Sequence, residues 1–372
     1  MKLGFDAKRA FNNGRGLGNY SRETLRILTT LSPENQYYLF TLRIDPSIGY
    51  ECPPHAQLIT PKVRGIMPQS LWRTFSIAKE AQKQHLDLYH GLSHELPYGI
   101  EKTGIRTVLT MHDLMFVTHP QLFSAFDRSM YRKKYLHSCE VADKIIAVSE
   151  RTKNDLLTLT KMEDRKVEVV YQGCQPRFHQ AVGEEEKYLF RQRYQLPEAY
   201  LLNVAAMEPR KNQLLILKAM ASGSIDLPLV IAGKETAYMK TLQQYAREHG
   251  LEKRVIWLPN FPDEALPALY QSATVFVFPS LYEGFGIPIV EALVSGLPVI
   301  AATGSCLEES GGPGSLYIDP RKEDELADGI TALLDDEGRR KDMIAKGLEH
   351  ARQFSDSAIH QRLNKIYKNL IS

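Results

Sequence analysis

The fold is decided by residues 274–291, which read TVFVFPSLYEGFGIPIVE. The run 274–279 is apolar, which is typical of a strand that is buried on both faces of a parallel sheet. Pro288 suits the first position of a helix, so Gly284–Ile287 is predicted to form a tight loop with exposed N–H groups. The stretch therefore reads as one βα unit.

The same alternation of short apolar runs and longer amphipathic runs extends along the chain and predicts parallel sheets. Strands are predicted near 2–6, 36–41, 57–60, 86–90, 106–111, 144–148, 166–171, 200–206, 227–232, 254–258, 274–279, 297–301 and 315–318. Helices are predicted near 19–31, 69–84, 124–140, 149–159, 186–195, 212–222, 235–249, 263–272, 288–295, 322–335 and 337–353.

A break that contains Gly, Pro and a charge run, residues 173–198, separates two such series. The length of 372 residues also predicts two domains, at roughly 100–200 residues each. We therefore predict an α/β protein with two doubly wound domains, residues 1–175 and 199–354, joined by a linker at 176–198. Ligands bind outside the carboxyl ends of the strands in such sheets. With two sheets facing each other, the site is expected in the cleft between the domains.

The composition is that of a globular protein kept inside the cell. Lys+Arg is 46 and Asp+Glu is 44, a balance too even for a nucleic-acid coat, and the four cysteines form no C-x-x-C pair. This cysteine pattern argues against a zinc or disulfide framework and fits a reducing cytosol. No apolar run reaches the 18 residues that a membrane span needs, and Asp6 interrupts the place of a signal-peptide core. We predict a cytoplasmic protein.

The charge is uneven along the chain. Residues 1–180 carry 25 Lys/Arg and 18 Asp/Glu, whereas the remaining residues carry 21 and 26, and the two parts sum to +2. The basic N-terminal half fits an anionic partner or peripheral association with the inner face of the membrane, to which 69–84 could contribute. Ordinary surface variation, with 69–84 as an ordinary packed helix, is the alternative.

Two motifs follow predicted first strands of the two domains. Gly14–Tyr20, read GRGLGNY, would let the backbone approach a phosphate or sugar at a helix start, although a plain turn is the alternative. Its spacing departs from the dinucleotide-binding G-x-G-x-x-G, because position 19 is Asn. Glu208–Asn212, read EPRKN, places two cations where they could hold a diphosphate, and a solvated turn is the alternative.

Two further features complete the candidate site. Glu283 is expected in the glycine loop and Glu291 in the first turn of the helix, where the helix dipole alone would favour a carboxylate. His112 follows the strand 106–111, either as a structural residue or as a functional one. The nearby His90, His94 and His119 sit on separate segments without a carboxylate partner, so no metal site is predicted.

Together these motifs resemble the retaining GT-B glycosyltransferases of family 4. Four motifs match in the expected order, namely the N-terminal G-x-G loop, the mid-domain His-Asp, EPRKN, and E-x7-E within EGFGIPIVEA. The resemblance covers essentially the whole chain. It implies two Rossmann-like domains facing across a cleft, with a C-terminal helix, residues 355–372, that packs back on the N-terminal domain.

The resemblance also implies residue roles in the C-terminal domain. Arg210 and Lys211 would hold the diphosphate of a nucleotide-sugar, Glu283 would contact the donor sugar, and Glu291 would bind the ribose hydroxyls. Backbone N–H groups would contact the sugar and phosphate at Phe285, Gly286 and Ile287. Some relatives carry an additional arginine upstream, where this chain has Asn203–Met207, so Arg210 would supply the second cation.

The N-terminal domain would contribute three residues to the same donor. Gly16 and Gly18 would close over the diphosphate, and His112 would contact the sugar near the reacting carbon. The nucleotide base is expected near Pro259–Phe261.

The resemblance implies transfer of a hexose, with mannose expected, from a donor such as GDP-mannose or a UDP-sugar. The acceptor would be a saccharide or a polyprenyl-linked saccharide in surface polysaccharide synthesis, and no metal or other cofactor is expected. Two alternatives remain open: a non-catalytic nucleotide- or sugar-binding protein of the same fold, and an NAD-dependent oxidoreductase. The glycine spacing disfavours the oxidoreductase, as does the lack of an acidic residue about 20 positions later.

Overall fold

The computed structural model describes residues 1–61, 76–122, 124–223 and 225–372. Contacts divide the chain into two compact units, of which the first is Met1–Gly173 with Ser355–Ser372 and the second is Cys174–Phe354. Within the described residues, no helix is both long enough and apolar enough to cross a membrane.

The first unit is built on a seven-stranded parallel sheet with the strand order β3-β2-β1-β4-β5-β6-β7. Its strands are Lys2–Asp6 (β1), Gln36–Phe40 (β2), Ala56–Ile59 (β3), Leu88–Gly91 (β4), Arg106–Met111 (β5), Lys144–Ala147 (β6) and Val167–Val169 (β7). The second unit is built on a six-stranded parallel sheet with the order β10-β9-β8-β11-β12-β13. Its strands are Leu201–Val204 (β8), Leu229–Gly233 (β9), Val255–Pro259 (β10), Val275–Phe278 (β11), Val299–Ala302 (β12) and Leu316–Ile318 (β13).

All thirteen predicted strands are confirmed, with shifts of at most two residues at their ends. They were recognisable because helices cover both faces of each parallel sheet, so that strands such as β11 and β12 consist of buried residues throughout.

Helices of the first unit are Lys8–Asn12 (α1), Gly16–Leu31 (α2), Ile77–Lys83 (α3), Met115–Thr118 (α4), Ala125–Val141 (α5), Glu150–Thr160 (α6) and Asp356–Ile371, which is α15 at the end of the chain. Helices of the second unit are Glu184–Tyr194 (α7), Gln213–Ala221 (α8), Tyr238–Glu248 (α9), Leu266–Gln271 (α10), Ile287–Val294 (α11), Leu307–Gly311 (α12), Glu323–Asp335 (α13) and Glu337–Ala351 (α14). The helices α1, α4 and α12 were not predicted, because four or five residues are too few to show a 3.6-residue period. Of the predicted helix 69–84, residues 69–75 lie outside the described part of the chain.

Each sheet has one point at which the strand order reverses. In the first sheet this point lies between β1 and β4, and in the second it lies between β8 and β11. Doubly wound proteins bind ligands outside the carboxyl ends of the strands at such a point. The glycine motif follows β1, whereas the segment 208–212 follows β8 and the glycine turn 284–286 follows β11. The glycine motif of the first unit and both motifs of the second unit therefore lie at the switch points, whereas His112 follows the neighbouring strand β5.

Two segments pack within units that their positions in the chain do not predict. The last helix, α15, packs on the first unit: Asp356 forms an ion pair with Arg26 at 2.8 Å. The segment predicted as a linker, 176–198, is folded into the second unit instead. There Phe190 is buried with its ring centroid 6.3 Å from that of Phe261, which gives this segment an apolar contact of its own.

Candidate active site

Two loops of the second unit meet beside the carboxyl ends of β8 and β11. The first is a 3-10 turn, Pro209–Lys211, which ends at Asn212 with φ 58°. The side chain of Asn212 donates hydrogen bonds to the carbonyl oxygens of Pro279 at 3.1 Å and Pro320 at 2.8 Å. These bonds fix the turn against the loop that follows β11, and a side-chain amide is one of the few groups that tolerates this left-handed position.

The cations of the first loop contact the carboxylate of the second. Lys211 Nζ lies 2.5 Å from Glu283 Oε1, and Arg210 Nη1 lies 3.3 Å from Glu283 Oε2. Ser280 Oγ donates to the same carboxylate at 2.5 Å, and Arg210 also pairs with Glu208 at 3.1 Å. The structure thus brings together three of the four residues predicted as catalytic.

Burial makes this cluster sensitive to any change of charge. Lys211 is 9% exposed. Burial by itself disfavours the charge of Glu283, but Lys211 and Arg210 outweigh it and hold the pKa of Glu283 below its usual value. Removal of one partner from a buried ion pair typically costs about 3–5 kcal/mol, since the other charge is left uncompensated. An anion that enters beside the two cations would therefore compete with Glu283 for them.

The glycine turn leads directly into α11. Gly286 has φ 119° and is the N-cap of the helix, and a Cβ there would lie 2.7 Å from Ser310 Oγ. Only glycine fits, because both the backbone angle and the close approach exclude a side chain. The Phe285 side chain is 2% exposed and packs against Phe354, so this residue offers a ligand its backbone alone. The helix starts at Ile287, whose backbone N–H has no partner inside the helix and is suited to an anionic oxygen. Position 288 is proline, and the N–H of Ile289 already donates to the carbonyl oxygen of Gly286 at 2.9 Å.

Glu291 lies one residue deeper in its helix than the sequence predicted. Helix α11 begins at Ile287, which makes Glu291 its fifth residue, and the first turn contains no acidic side chain. The predicted position in the first turn is therefore wrong, and stabilisation of the helix start no longer accounts for this carboxylate. Burial raises the pKa of Glu291 to about 7, and the hydroxyl of Tyr270 donates to Oε2 at 2.9 Å. A buried carboxylate in a helix interior whose pKa is raised this far is a candidate for a functional residue.

In the first unit, His112 follows β5 as predicted. It is 5% exposed, and its Nε2 lies 2.9 Å from the carbonyl oxygen of Leu92. Because a carbonyl oxygen only accepts, Nε2 carries the proton and Nδ1 is left as a hydrogen-bond acceptor, with the side-chain amide of Gln172 at 3.5 Å. Burial lowers the pKa of His112 to about 3, so the ring is neutral.

The glycine motif opens α2, which starts at Gly16. A Cβ on Gly18 would lie 1.6 Å from the carbonyl oxygen of Asn13, so packing alone explains that glycine. A Cβ on Gly16 would meet no atom within 4 Å, and packing does not explain it. The motif reaches His112 through Tyr20 of the same helix, whose ring centroid lies 4.5 Å from the histidine ring.

The place predicted for the nucleotide base is the end of β10. Pro259 is the last residue of the strand, and Asn260 follows with φ 53°. The Phe261 ring packs 4.9 Å from that of Tyr194. Base binding at this place stays a prediction.

The sequence did not identify the partners that hold these residues. Ser280 bonds Glu283 and Tyr270 bonds Glu291, yet the sequence assigns neither of them a role. The second pair forms only when separate segments of the fold meet. Among the described residues, no group of three or more His, Cys, Asp or Glu side chains is placed to hold a metal ion.

Two family models match the chain. Residues 184–350 match the model described as Glycosyl transferases group 1, and residues 16–178 match Glycosyltransferase Family 4. O-antigen chain mannosyltransferase B of Escherichia coli is 33% identical over 274 residues, which is 72% of this chain and 70% of the relative. The serotype-specific mannosyltransferase WbdA of Escherichia coli is 26% identical over 283 residues, which is 72% of this chain but 34% of that longer relative.

The solved structure of Anabaena HepE in complex with UDP and glucose superposes on this chain with a TM-score of 0.77 at 20% identity. The superposition covers 100% of both chains. Together with the seven-stranded and six-stranded parallel sheets, this likeness confirms the predicted GT-B fold.

Proposed function

The chain belongs to glycosyltransferase family 4 and is a glycosyltransferase, and we propose that it transfers mannose from a nucleotide-sugar to a saccharide or a lipid-linked saccharide. Mannose is supported by the two mannosyltransferase relatives from Escherichia coli. A nucleotide-sugar donor, GDP-mannose or a UDP-sugar, is supported by the neighbour solved with UDP and glucose. The proposal includes retention at the anomeric carbon, in keeping with the resemblance to the retaining members of the family.

The observation that carries the proposal is the pair of cations at Glu283. Departure of a nucleoside diphosphate builds negative charge on the leaving group, and fixed cations in a buried site stabilise that charge. Lys211 and Arg210 already converge on one carboxylate, at 2.5 Å and 3.3 Å. In the proposed complex the diphosphate takes over part of their coordination, and Glu283 turns toward the hydroxyls of the donor sugar.

The turn and the helix that follow Glu283 would hold the remaining parts of the donor. The N–H groups at Phe285, Gly286 and Ile287 would contact the sugar and the phosphate. Glu291 would accept hydrogen bonds from both ribose hydroxyls, for which an ionised carboxylate is the better acceptor. We propose that these groups act without a metal ion, since the two cations and the helix start supply positive charge to the leaving group.

The first unit would supply the residues for the sugar and the acceptor. Neutral His112 has an acceptor nitrogen, Nδ1, that suits a sugar hydroxyl near the reacting carbon. Gly16 offers open space at the start of α2, where a ligand could approach the backbone. Peripheral membrane association through the basic N-terminal half would bring a lipid-linked acceptor to this unit.

A nucleotide panel tests the proposal. Thermal unfolding is measured with UDP, GDP, ADP and NAD, and one nucleoside diphosphate is expected to stabilise the protein while NAD does not. Stabilisation by NAD alone would favour the oxidoreductase. Slow hydrolysis of the matching nucleotide-sugar then separates an enzyme from a binding protein of the same fold.

One lysine variant ties the activity to the site. Lys211→Ala is expected to lower the hydrolysis rate by on the order of 10²–10³, the usual loss when one preorganised donor to a leaving group is removed. The matched control is Lys218→Ala on α8, because that lysine is 41% exposed and pairs with Glu323 outside the candidate site. Near-normal turnover of a folded Lys211→Ala protein would refute the assignment.

A further inference from the structure

A buried chain of hydrogen bonds connects the last helix to the strand that carries His112. Tyr367 of α15 places its hydroxyl 2.6 Å from Nδ1 of His90. Nε2 of His90 lies 2.8 Å from the hydroxyl of Thr110, which lies 3.0 Å from the hydroxyl of Tyr20. All four residues are buried, and three of them are fully withdrawn from solvent. We refer to Tyr367, His90, Thr110 and Tyr20 as the Tyr367 network.

The chemistry of imidazole makes this network directional. Burial lowers the pKa of His90 to about 3, so its ring is neutral and has one donor nitrogen and one acceptor nitrogen. If Tyr367 donates to Nδ1, then Nε2 donates to Thr110, and the reverse order also satisfies both nitrogens. Loss of one hydroxyl therefore leaves a buried nitrogen without a partner, which disturbs the whole chain rather than one bond.

The network ends at two of the groups that surround His112. Tyr20 presents its ring to the His112 ring edge-on, with the centroids 4.5 Å apart and an interplanar angle of 88°. Thr110 precedes His112 by two positions on β5, and its carbonyl oxygen accepts a hydrogen bond from the backbone N–H of His94 at 2.9 Å. The centroid of the His94 ring lies 5.1 Å from that of the His112 ring. The hydroxyl of Thr110 thus holds the side chain of Tyr20, and its carbonyl oxygen holds the backbone of His94.

We propose that Tyr367 and His90 are positioning residues for His112. They hold Thr110 and Tyr20, which keep the His112 ring turned so that Nε2 donates to Leu92 and Nδ1 is presented to the donor sugar. This inference rests on the proposed function, because it requires that His112 contacts the donor. It gives the return of α15 to the first unit a role in the reaction in addition to covering the sheet.

The test begins with Tyr367→Phe, which removes the hydroxyl and keeps the ring. Hydrolysis of the donor identified by the nucleotide panel is expected to lose on the order of tenfold in kcat, because small displacements of a positioned group cost this much or more. The KM of the donor should change by less than about twofold, since the nucleotide contacts of the second unit stay intact.

The matched control is Tyr37→Phe. Tyr37 is fully buried in the same unit, and its hydroxyl lies 2.7 Å from the carbonyl oxygens of Leu28 and Ser32, neither of which belongs to the Tyr367 network. Both variants lose a buried hydrogen bond and should melt at similar temperatures, but Tyr37→Phe should keep its kcat. An equal loss of kcat in the two variants would show a purely structural role and overturn the inference.

A double-mutant cycle with His112→Ala gives the deciding result. In the His112→Ala background Tyr367→Phe is expected to cause no further loss of kcat, because no ring is left to be positioned. The same fold-loss in both backgrounds overturns the inference but leaves the proposed function standing. Normal turnover of His112→Ala overturns the role of His112 and the inference with it, whereas a wild-type protein that hydrolyses none of the nucleotide-sugars overturns the proposed function itself.

A second pair of variants keeps the test decisive if Tyr367→Phe does not fold. Thr110→Ser retains the hydroxyl and should keep kcat, whereas Thr110→Val removes it from a side chain of similar shape and should lose about as much as Tyr367→Phe is expected to lose. Equal kcat in the serine and valine variants would overturn the inference.

Discussion

Glu291→Gln is expected to stabilise the free protein and to weaken its binding of nucleotide. Burial raises the pKa of Glu291 from 4.5 to about 7. A group whose pKa is raised on folding contributes stability that is fully present below its unfolded pKa and is lost as the pH rises through its folded pKa. The free energy of unfolding of the wild-type protein should therefore fall between about pH 4.5 and pH 7. At pH 8 the buried carboxylate is ionised, and this loss of stability is complete.

The size of the stability change follows from the pKa shift of Glu291. A change from 4.5 to about 7 corresponds to about 3 kcal/mol, at about 1.4 kcal/mol for each pKa unit. Glutamine keeps the size of the side chain and an oxygen that accepts from Tyr270, but it carries no charge. At pH 8 the variant should gain up to about 3 kcal/mol, or about 6–12 °C in melting temperature for a unit of this size. Near pH 4 the two proteins should unfold alike.

Nucleotide binding should change in the opposite direction. Hydrogen bonds to a charged group contribute about 1.5–3 kcal/mol each, so loss of the charge at the ribose should weaken binding by roughly 10-fold to 150-fold at pH 8. Hydroxyl donors favour the ionised carboxylate, so nucleotide affinity of the wild-type protein should fall as the pH drops below 7. The affinity of Glu291→Gln should be nearly independent of pH over the same range.

Calorimetric unfolding and isothermal titration with the nucleotide, each from pH 5.5 to pH 8.5, measure both effects. Glu248→Gln is the control, because Glu248 is an exposed carboxylate of α9 in the same unit. A stability difference that does not grow with pH would contradict the buried, proton-binding state of Glu291. Unchanged nucleotide affinity at pH 8 would refute its role at the ribose.

Three more substitutions separate function from packing and charge. Gly18→Ala should strongly destabilise the first unit, since its Cβ would lie 1.6 Å from a backbone oxygen, whereas Gly16→Ala should melt normally and lower donor hydrolysis about tenfold. Equal hydrolysis by wild type and Gly16→Ala would remove Gly16 from the site. Glu283→Gln should lower the free energy of unfolding by about 3–5 kcal/mol at pH 7, because the buried ammonium group of Lys211 loses its counter-charge. The pKa of Glu283 is lowered on folding, so its contribution is lost as the pH falls below 4.5, and urea unfolding should show the difference narrowing there.

The strands, and the edge of each sheet that holds the motifs, could be predicted from the sequence. Apolar runs such as 275–278 identify buried strands, and strands joined through helices place their carboxyl ends together. The sequence pattern could not predict which side chains form ion pairs with one another at that edge. Lys211 and Glu283 are 72 positions apart, and only the turn at Asn212 with its bond to Pro279 brings the ammonium group to the carboxylate.

The error at Glu291 has a local cause. Pro288 suggested a first helical position, whereas the helix begins one residue earlier, because Gly286 caps it with a positive φ. The bonds of the Tyr367 network could not be predicted from the sequence. Tyr367 and His90 are 277 positions apart, and their polar atoms meet only when α15 packs on the first unit.

The two kinds of buried titratable group respond to burial in opposite directions, and this decides which of them can make the reaction depend on pH. Burial disfavours the charged form, so it lowers the pKa of His112 to about 3 and raises that of Glu291 to about 7. Between pH 5 and pH 8 His112 therefore remains a neutral hydrogen-bonding group and does not act as a general acid. Glu291 changes its charge within this range. An acidic limb near pH 7 should consequently appear in the KM of the donor rather than in kcat, and it should disappear in Glu291→Gln while it persists in His112→Ala.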